Sequence, residues 1–148
     1  MVAEVSDREL VVTRIFDAPR TLVFEAWTTP AHLARWWGPK AYTLPFSEVD
    51  FRVCGAYRFC MRSPEGRDYW VRGIYREIVV PEQIVWTARL EEDSAADAEL
   101  LMTITFEDLA GKTRLTVHQA PFKTVAERND AVRGWTESLE RLAVQVTG

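Results

Sequence analysis

Apolar and polar residues alternate with a period of two along most of this chain, and a helical period replaces it near the start and at the end. Over Glu9 to Phe16, Leu10, Val12 and Arg14 alternate with Val11, Thr13 and Ile15, which predicts a first strand. Pro19 then opens a short helix, where a missing N–H costs nothing, and Leu22, Val23, Ala26 and Trp27 give it one apolar side. Thr29 before Pro30 is an N-cap and first helical position for a second helix carrying Leu33, Trp36 and Trp37, and Gly38-Pro39 stops it. The strand period resumes at Phe46 to Phe51. Next, Tyr57, Phe59 and Met61 alternate with Arg58, Cys60 and Arg62, and Pro64-Glu65-Gly66 makes a turn. A longer strand follows from Tyr69 to Val80, with Gly73 as a bulge or a point of close approach. Pro81-Glu82 leads tightly into Ile84 to Leu90. After an acidic loop at Glu91 to Ala98 come Glu99 to Glu107 and Thr113 to Gln119, joined by a turn containing Gly111. Thr124 with Glu127 forms a capping box for the last helix, whose Val132, Trp135, Leu139, Leu142, Ala143 and Val146 share a face.

The predicted order is β-α-α-β-β-β-β-β-β-α, an α+β chain with one antiparallel meander. A curved sheet of seven strands has a concave face wider than the stripe of about 10 Å that one helix covers. The short helices near the start close one end. A hollow is then expected between the sheet and the last helix, and such hollows receive small molecules. The tryptophans Trp27, Trp36, Trp37, Trp70, Trp86 and Trp135 are spread over most elements. They either fill this space as core or line it as a pocket.

Composition narrows the classes. The length of 148 residues corresponds to one domain over 1–148, and a 47% hydrophobic share supports a sizeable core. The formal net charge of −4, with basic residues scattered, argues against binding nucleic acid, which needs a concentrated basic face. Cys54 and Cys60 make no disulfide framework and are expected as free thiols of a reducing compartment. Asp7, Arg8 and Glu9 interrupt any signal-peptide pattern, and no apolar stretch is long enough for a membrane span, so a cytoplasmic location is expected.

Several segments resemble a known family. Phe16-Asp17-Ala18-Pro19-Arg20, Phe24-Glu25-Ala26-Trp27 and Trp36-Trp37-Gly38-Pro39 are similar to the opening of the family related to the activator of the heat-shock-protein-90 ATPase. Gly73-Ile74-Tyr75-Arg76-Glu77-Ile78, Pro81-Glu82 and Trp86-Thr87 continue the resemblance, and Gly134-Trp135 with Leu139 and Leu142 matches the closing helix. It covers nearly the whole chain. It implies the helix-grip fold of the START-like superfamily, which also contains lipid-transfer domains, polyketide cyclases and the birch-pollen-allergen fold. A fold of this kind hosts many tasks, so the site must decide function.

The residues hold little overt chemistry. His32 and His118 lie on separate elements, the cysteines lack zinc spacing, and no phosphate loop or nucleophile elbow is present, so no metal or cofactor is expected. His118 shares parity with Thr116 and is expected to face outward, whereas Gln119 shares parity with Leu115 and Val117 and is expected to face the cavity. Glu48 and Asp50 share a strand face as a conceivable carboxylate pair. Arg58, Arg62 and Arg72 either grip an acidic ligand group or form the solvated back of the sheet. The leading expectation is a binding protein for a small apolar or amphipathic molecule, lined by Trp37, Tyr57, Phe59, Met61, Tyr75, Trp86, Gln119, Trp135 and Leu139. The alternatives are an interaction or co-chaperone-like module with an exposed patch at Trp36, Trp37 and Pro39, and a cyclase- or hydrolase-like enzyme using His118, Glu48 or Asp50. A homodimer is left open.

Overall fold

The structure is a computed structural model describing residues 7–92 and 99–147. The loop expected at 91–98 therefore lies, from residue 93 on, outside the described residues. The elements follow in the expected order: β1 (Leu10–Phe16), α1 (Arg20–Glu25), α2 (Pro30–Trp36), β2 (Thr43–Val49), β3 (Ala56–Arg62), β4 (Asp68–Val79), β5 (Gln83–Leu90), β6 (Leu100–Leu109), β7 (Lys112–Ala120) and α3 (Val125–Thr147). The strands form one antiparallel sheet in the order β1-β7-β6-β5-β4-β3-β2. β1 and β2 are thus opposite edges, about 29 Å apart at about 4.8 Å per strand. α1 and α2 carry the chain across that distance and close one end of the sheet. This is the α+β helix-grip fold.

Local chemistry sets the element ends. The α2 N-cap is Thr29, whose Oγ1 accepts a hydrogen bond from His32 N at 3.3 Å, and Pro30 follows at the first position. The Thr124 side chain accepts from Glu127 N at 3.1 Å at the start of α3. Pro19 flanks α1 in an extended conformation and gives it no side-chain cap. β2 begins at Thr43, three residues earlier than the pattern predicts, and its pairing with β3 shifts register between Thr43 and Phe46. Pro45 sits in that shift and cannot donate to a ladder, which an edge strand tolerates.

The core lies on the concave face. Leu10, Ile84, Ile104, Leu115, Val117, Leu139 and Leu142 are essentially inaccessible. Trp27 is the hub of an aromatic cluster, stacked on Trp135 at 5.9 Å between ring centroids and edge-on to Trp36, Trp37 and Phe106. α3 packs chiefly on β1 and α2. Its first half therefore overhangs the central strands at a distance and leaves a hollow there.

Candidate functional site

The hollow is a pocket of about 360 Å³. Its sheet side is built by Tyr57 and Met61 on β3, Val71 on β4, Ala88 and Leu90 on β5, Leu100 and Met102 on β6, and Gln119 on β7. Its helix side is Asp130, Ala131, Gly134, Trp135 and Ser138, spaced along one face of α3. Trp37, Gly38 and Pro39 close the end toward α2. The space persists because small residues face it from both walls: Ala88 on the sheet, and Ala131 and Gly134 on the helix.

The loop after α2 is held by α3. Ser138 Oγ accepts from Gly38 N at 3.0 Å and donates to Trp36 O at 3.3 Å. Arg141 Nη1 donates to the carbonyls of Trp37, Gly38, Pro39 and Tyr42 at 3.0–3.3 Å. Burial lowers the pKa of Arg141 from its ordinary value. A guanidinium stays charged under any such shift, so the clamp is a permanent set of charge-assisted hydrogen bonds. Gly134 faces the Pro39 ring, which stands in ordinary van der Waals range, 3.5 Å from where a Cβ would be.

Polar groups in and beneath the pocket are mostly committed. Tyr57 Oη donates to Thr87 O at 2.6 Å, Trp86 Nε1 donates to Met102 Sδ at 3.0 Å, and Trp135 Nε1 donates to Gln119 Oε1 at 3.0 Å. Tyr57 reaches Thr87 by lying over Gly73, its partner across β3 and β4, where a Cβ would meet Tyr57 Cε1 at 2.7 Å. Gly73 is therefore the close-approach point that its place in the strand pattern indicated. Burial pushes the Tyr57 and Tyr75 phenols well above the ordinary tyrosine value.

Of the residues expected to line a ligand site, Trp37, Tyr57, Met61, Gln119 and Trp135 meet at this pocket. Phe59, Tyr75, Trp86 and Leu139 stand elsewhere. Phe59, Tyr75 and Trp86 pack with Trp27 and Leu33 around a void with no room for water, and Leu139 is buried in the same core. The pattern overlooked Ala88, Met102, Ala131 and Gly134. Met102 shares parity with buried Ile104 and Phe106, so its inward direction was readable. The three small residues carry a signal only once the helix is registered against the sheet.

The other candidates lie away from the pocket. His118 faces the convex side and contacts Glu9, while Glu48 and Asp50 are exposed, Asp50 paired with Arg52 at 2.8 Å. Arg58 and Arg62 are on the back of the sheet, paired with Glu91 at 2.6 Å and Asp68 at 2.7 Å. Trp36 and Trp37 are 0% and 8% exposed, so no apolar patch forms there. Cys54 is exposed in the β2–β3 connection and Cys60 is buried on β3, and both are free thiols. Among the described residues, no acidic, histidine or cysteine cluster could hold a metal ion, and no helix is long and apolar enough to cross a membrane.

Comparison with known proteins agrees with this architecture. The family model described as Activator of Hsp90 ATPase homolog 1-like protein matches residues 17–147. A Chromobacterium violaceum protein of known crystal structure is similar at a TM-score of 0.85 and 28% identity, covering 95% of this chain and 98% of its own. The AHSA1 protein from Silicibacter pomeroyi is similar at 0.82 and 26%, covering 93% and 96%. An Arthrobacter aurescens protein shares the fold at 0.83 with 22% identity, covering 99% and 90%. No curated protein matches the chain in sequence.

Proposed function

The chain belongs to the Activator of Hsp90 ATPase homolog 1-like family, and from that premise we propose that it binds a small apolar or amphipathic molecule between α3 and the concave face of its sheet. The family's fold fits a ligand-binding or a co-chaperone-like role. The observation that favours ligand binding is the pocket of about 360 Å³ lined by Trp37, Met61, Met102 and Trp135. It falls within the range of about 300–1,000 Å³ usual for small-molecule sites. Beneath it the aromatic cluster is closed, so the open space is local rather than a sign of loose packing throughout. The burial of Trp36 and Trp37 removes the surface that the co-chaperone reading had singled out. The groups that an enzymatic reading named, His118, Glu48 and Asp50, do not line the pocket.

The test is titration with the neutral fluorescent ketone 6-propionyl-2-(dimethylamino)naphthalene. The reading predicts saturable one-to-one binding with quenching of tryptophan emission. It also predicts loss of binding in Ala131→Trp, which fills the pocket from α3, with the circular dichroism of the fold retained. Binding that does not saturate, or that survives Ala131→Trp unchanged, would refute it.

A further inference from the structure

The hydrogen-bonding groups around the pocket have a one-sided character. Trp135 Nε1–H can only donate, so the Gln119 amide must turn its oxygen to it, and that bond is 3.0 Å long. The Gln119 Nε2 is left with two donor hydrogens. It has no partner among the described residues, although Gln119 is only 8% exposed and lines the pocket.

Most uncharged acceptors nearby are taken. Gln119 Oε1 serves Trp135, and Ser138 Oγ serves Gly38 N. The carbonyls of Trp37, Gly38 and Pro39 all receive Arg141. The one cation in the pocket lining among the described residues, Arg89, is not free. Arg89 alternates with inward-facing Ala88 and Leu90 on β5 and already has an interaction partner. Asp130, at the rim, is paired with Arg133 at 3.3 Å. A carboxylate entering here would be desolvated with only the already engaged Arg89 to offset it. An alcohol or amine would bring donors to a wall whose carboxylate, Asp130, is exposed at the rim and already pairs with Arg133.

We propose that the pocket selects a neutral, largely apolar molecule carrying a carbonyl-type acceptor, such as a ketone, ester or quinone, which Gln119 Nε2–H reads. This rests on the ligand-binding reading above and assigns Gln119 as its specificity residue. A ligand without the acceptor leaves the Gln119 amide desolvated and unpaired, which is the source of discrimination.

The experiment compares three probes of matched shape by calorimetry: acetylnaphthalene, ethylnaphthalene and naphthoate. The expected order is acetylnaphthalene tightest, by about tenfold over ethylnaphthalene, with naphthoate weakest. In Gln119→Leu the ketone loses that advantage while ethylnaphthalene binds at least as well as before. Gln119→Glu keeps an acceptor for Trp135, so the near-ultraviolet spectrum of the indole stays in place. Above the titration of that carboxyl it too loses the ketone preference. Ethylnaphthalene binding as tightly as the ketone, or naphthoate binding tightest, would overturn the proposal while leaving the pocket occupied. Failure of all three probes to bind would overturn the ligand-binding reading together with it.

Discussion

Gly73→Ala is the substitution whose effect follows most directly from the coordinates. A Cβ at this position would lie 1.8 Å from Thr87 O and 2.7 Å from Tyr57 Cε1. The first contact is with backbone, so it cannot be relieved by a side-chain rotation. β4 and β5 must separate there, and the Tyr57 ring must lift and give up its 2.6 Å bond to Thr87 O. Overpacking of a tight core contact costs about 1–3 kcal/mol. Loss of a buried hydroxyl–carbonyl bond costs about 1–3 kcal/mol more. The reduced freedom of alanine in the unfolded chain returns about 0.4–1 kcal/mol. The net expectation is a loss of about 3 kcal/mol, or a fall in Tm of about 6–12 °C for a chain of this length. Urea denaturation followed by tryptophan emission measures it, with a parallel thermal scan. The same alanine in a Tyr57→Phe background should cost less, because the bond to be lost is already absent. A Gly73→Ala variant within about 0.5 kcal/mol of the parent would refute this account of the sheet's close approach.

Other expectations follow from the same contacts. Arg141→Met should destabilise the fold by about 2–4 kcal/mol in urea, because the Trp37, Gly38, Pro39 and Tyr42 carbonyls lose their shared donor. Tyr57 and Tyr75 are buried with their pKa values raised above 10.0, so in the folded state they keep their protons where the unfolded chain releases them. Stability is then fully present below that ordinary value and falls as pH rises above it. The fall is about 1.4 kcal/mol per pH unit for each phenol, read from urea midpoints on either side. With Ellman's reagent, exposed Cys54 should react at once. Cys60, buried and with its thiol pKa raised by burial and by Asp68, should react only as the protein unfolds.

Much of the fold was legible because its signals are local. Alternation around Tyr57, Phe59 and Met61 identified the inward side of β3, and Thr29-Pro30 and Thr124 with Glu127 marked helix starts by the bonds their hydroxyls make. β2 was misjudged at its start because Pro45 and the register shift break the alternation that defines a strand. The pocket was legible in direction but not in extent. Tyr57, Phe59 and Trp86 all point into the concave face, yet only Tyr57 reaches the open space, because Trp27, Trp37 and Leu33 of α2 close around the others. Which inward residue meets a void depends on how far α3 stands from each strand, and that distance is a property of packing between remote elements. Gln119 was recognisable as a polar residue with inward parity, whereas its commitment to Trp135 required the structure.

The central claim is that a small molecule occupies the space between α3 and the sheet, and two of the chain's three methionines, Met61 and Met102, line it. Selective ¹³C labelling of the methionine methyl groups therefore turns the pocket into its own reporter. On addition of acetylnaphthalene the account predicts large ring-current shifts for the Met61 and Met102 methyls, with nuclear Overhauser contacts from both to the ligand. Ligand binding that leaves both methyl signals in place, with its contacts to other residues, would contradict it.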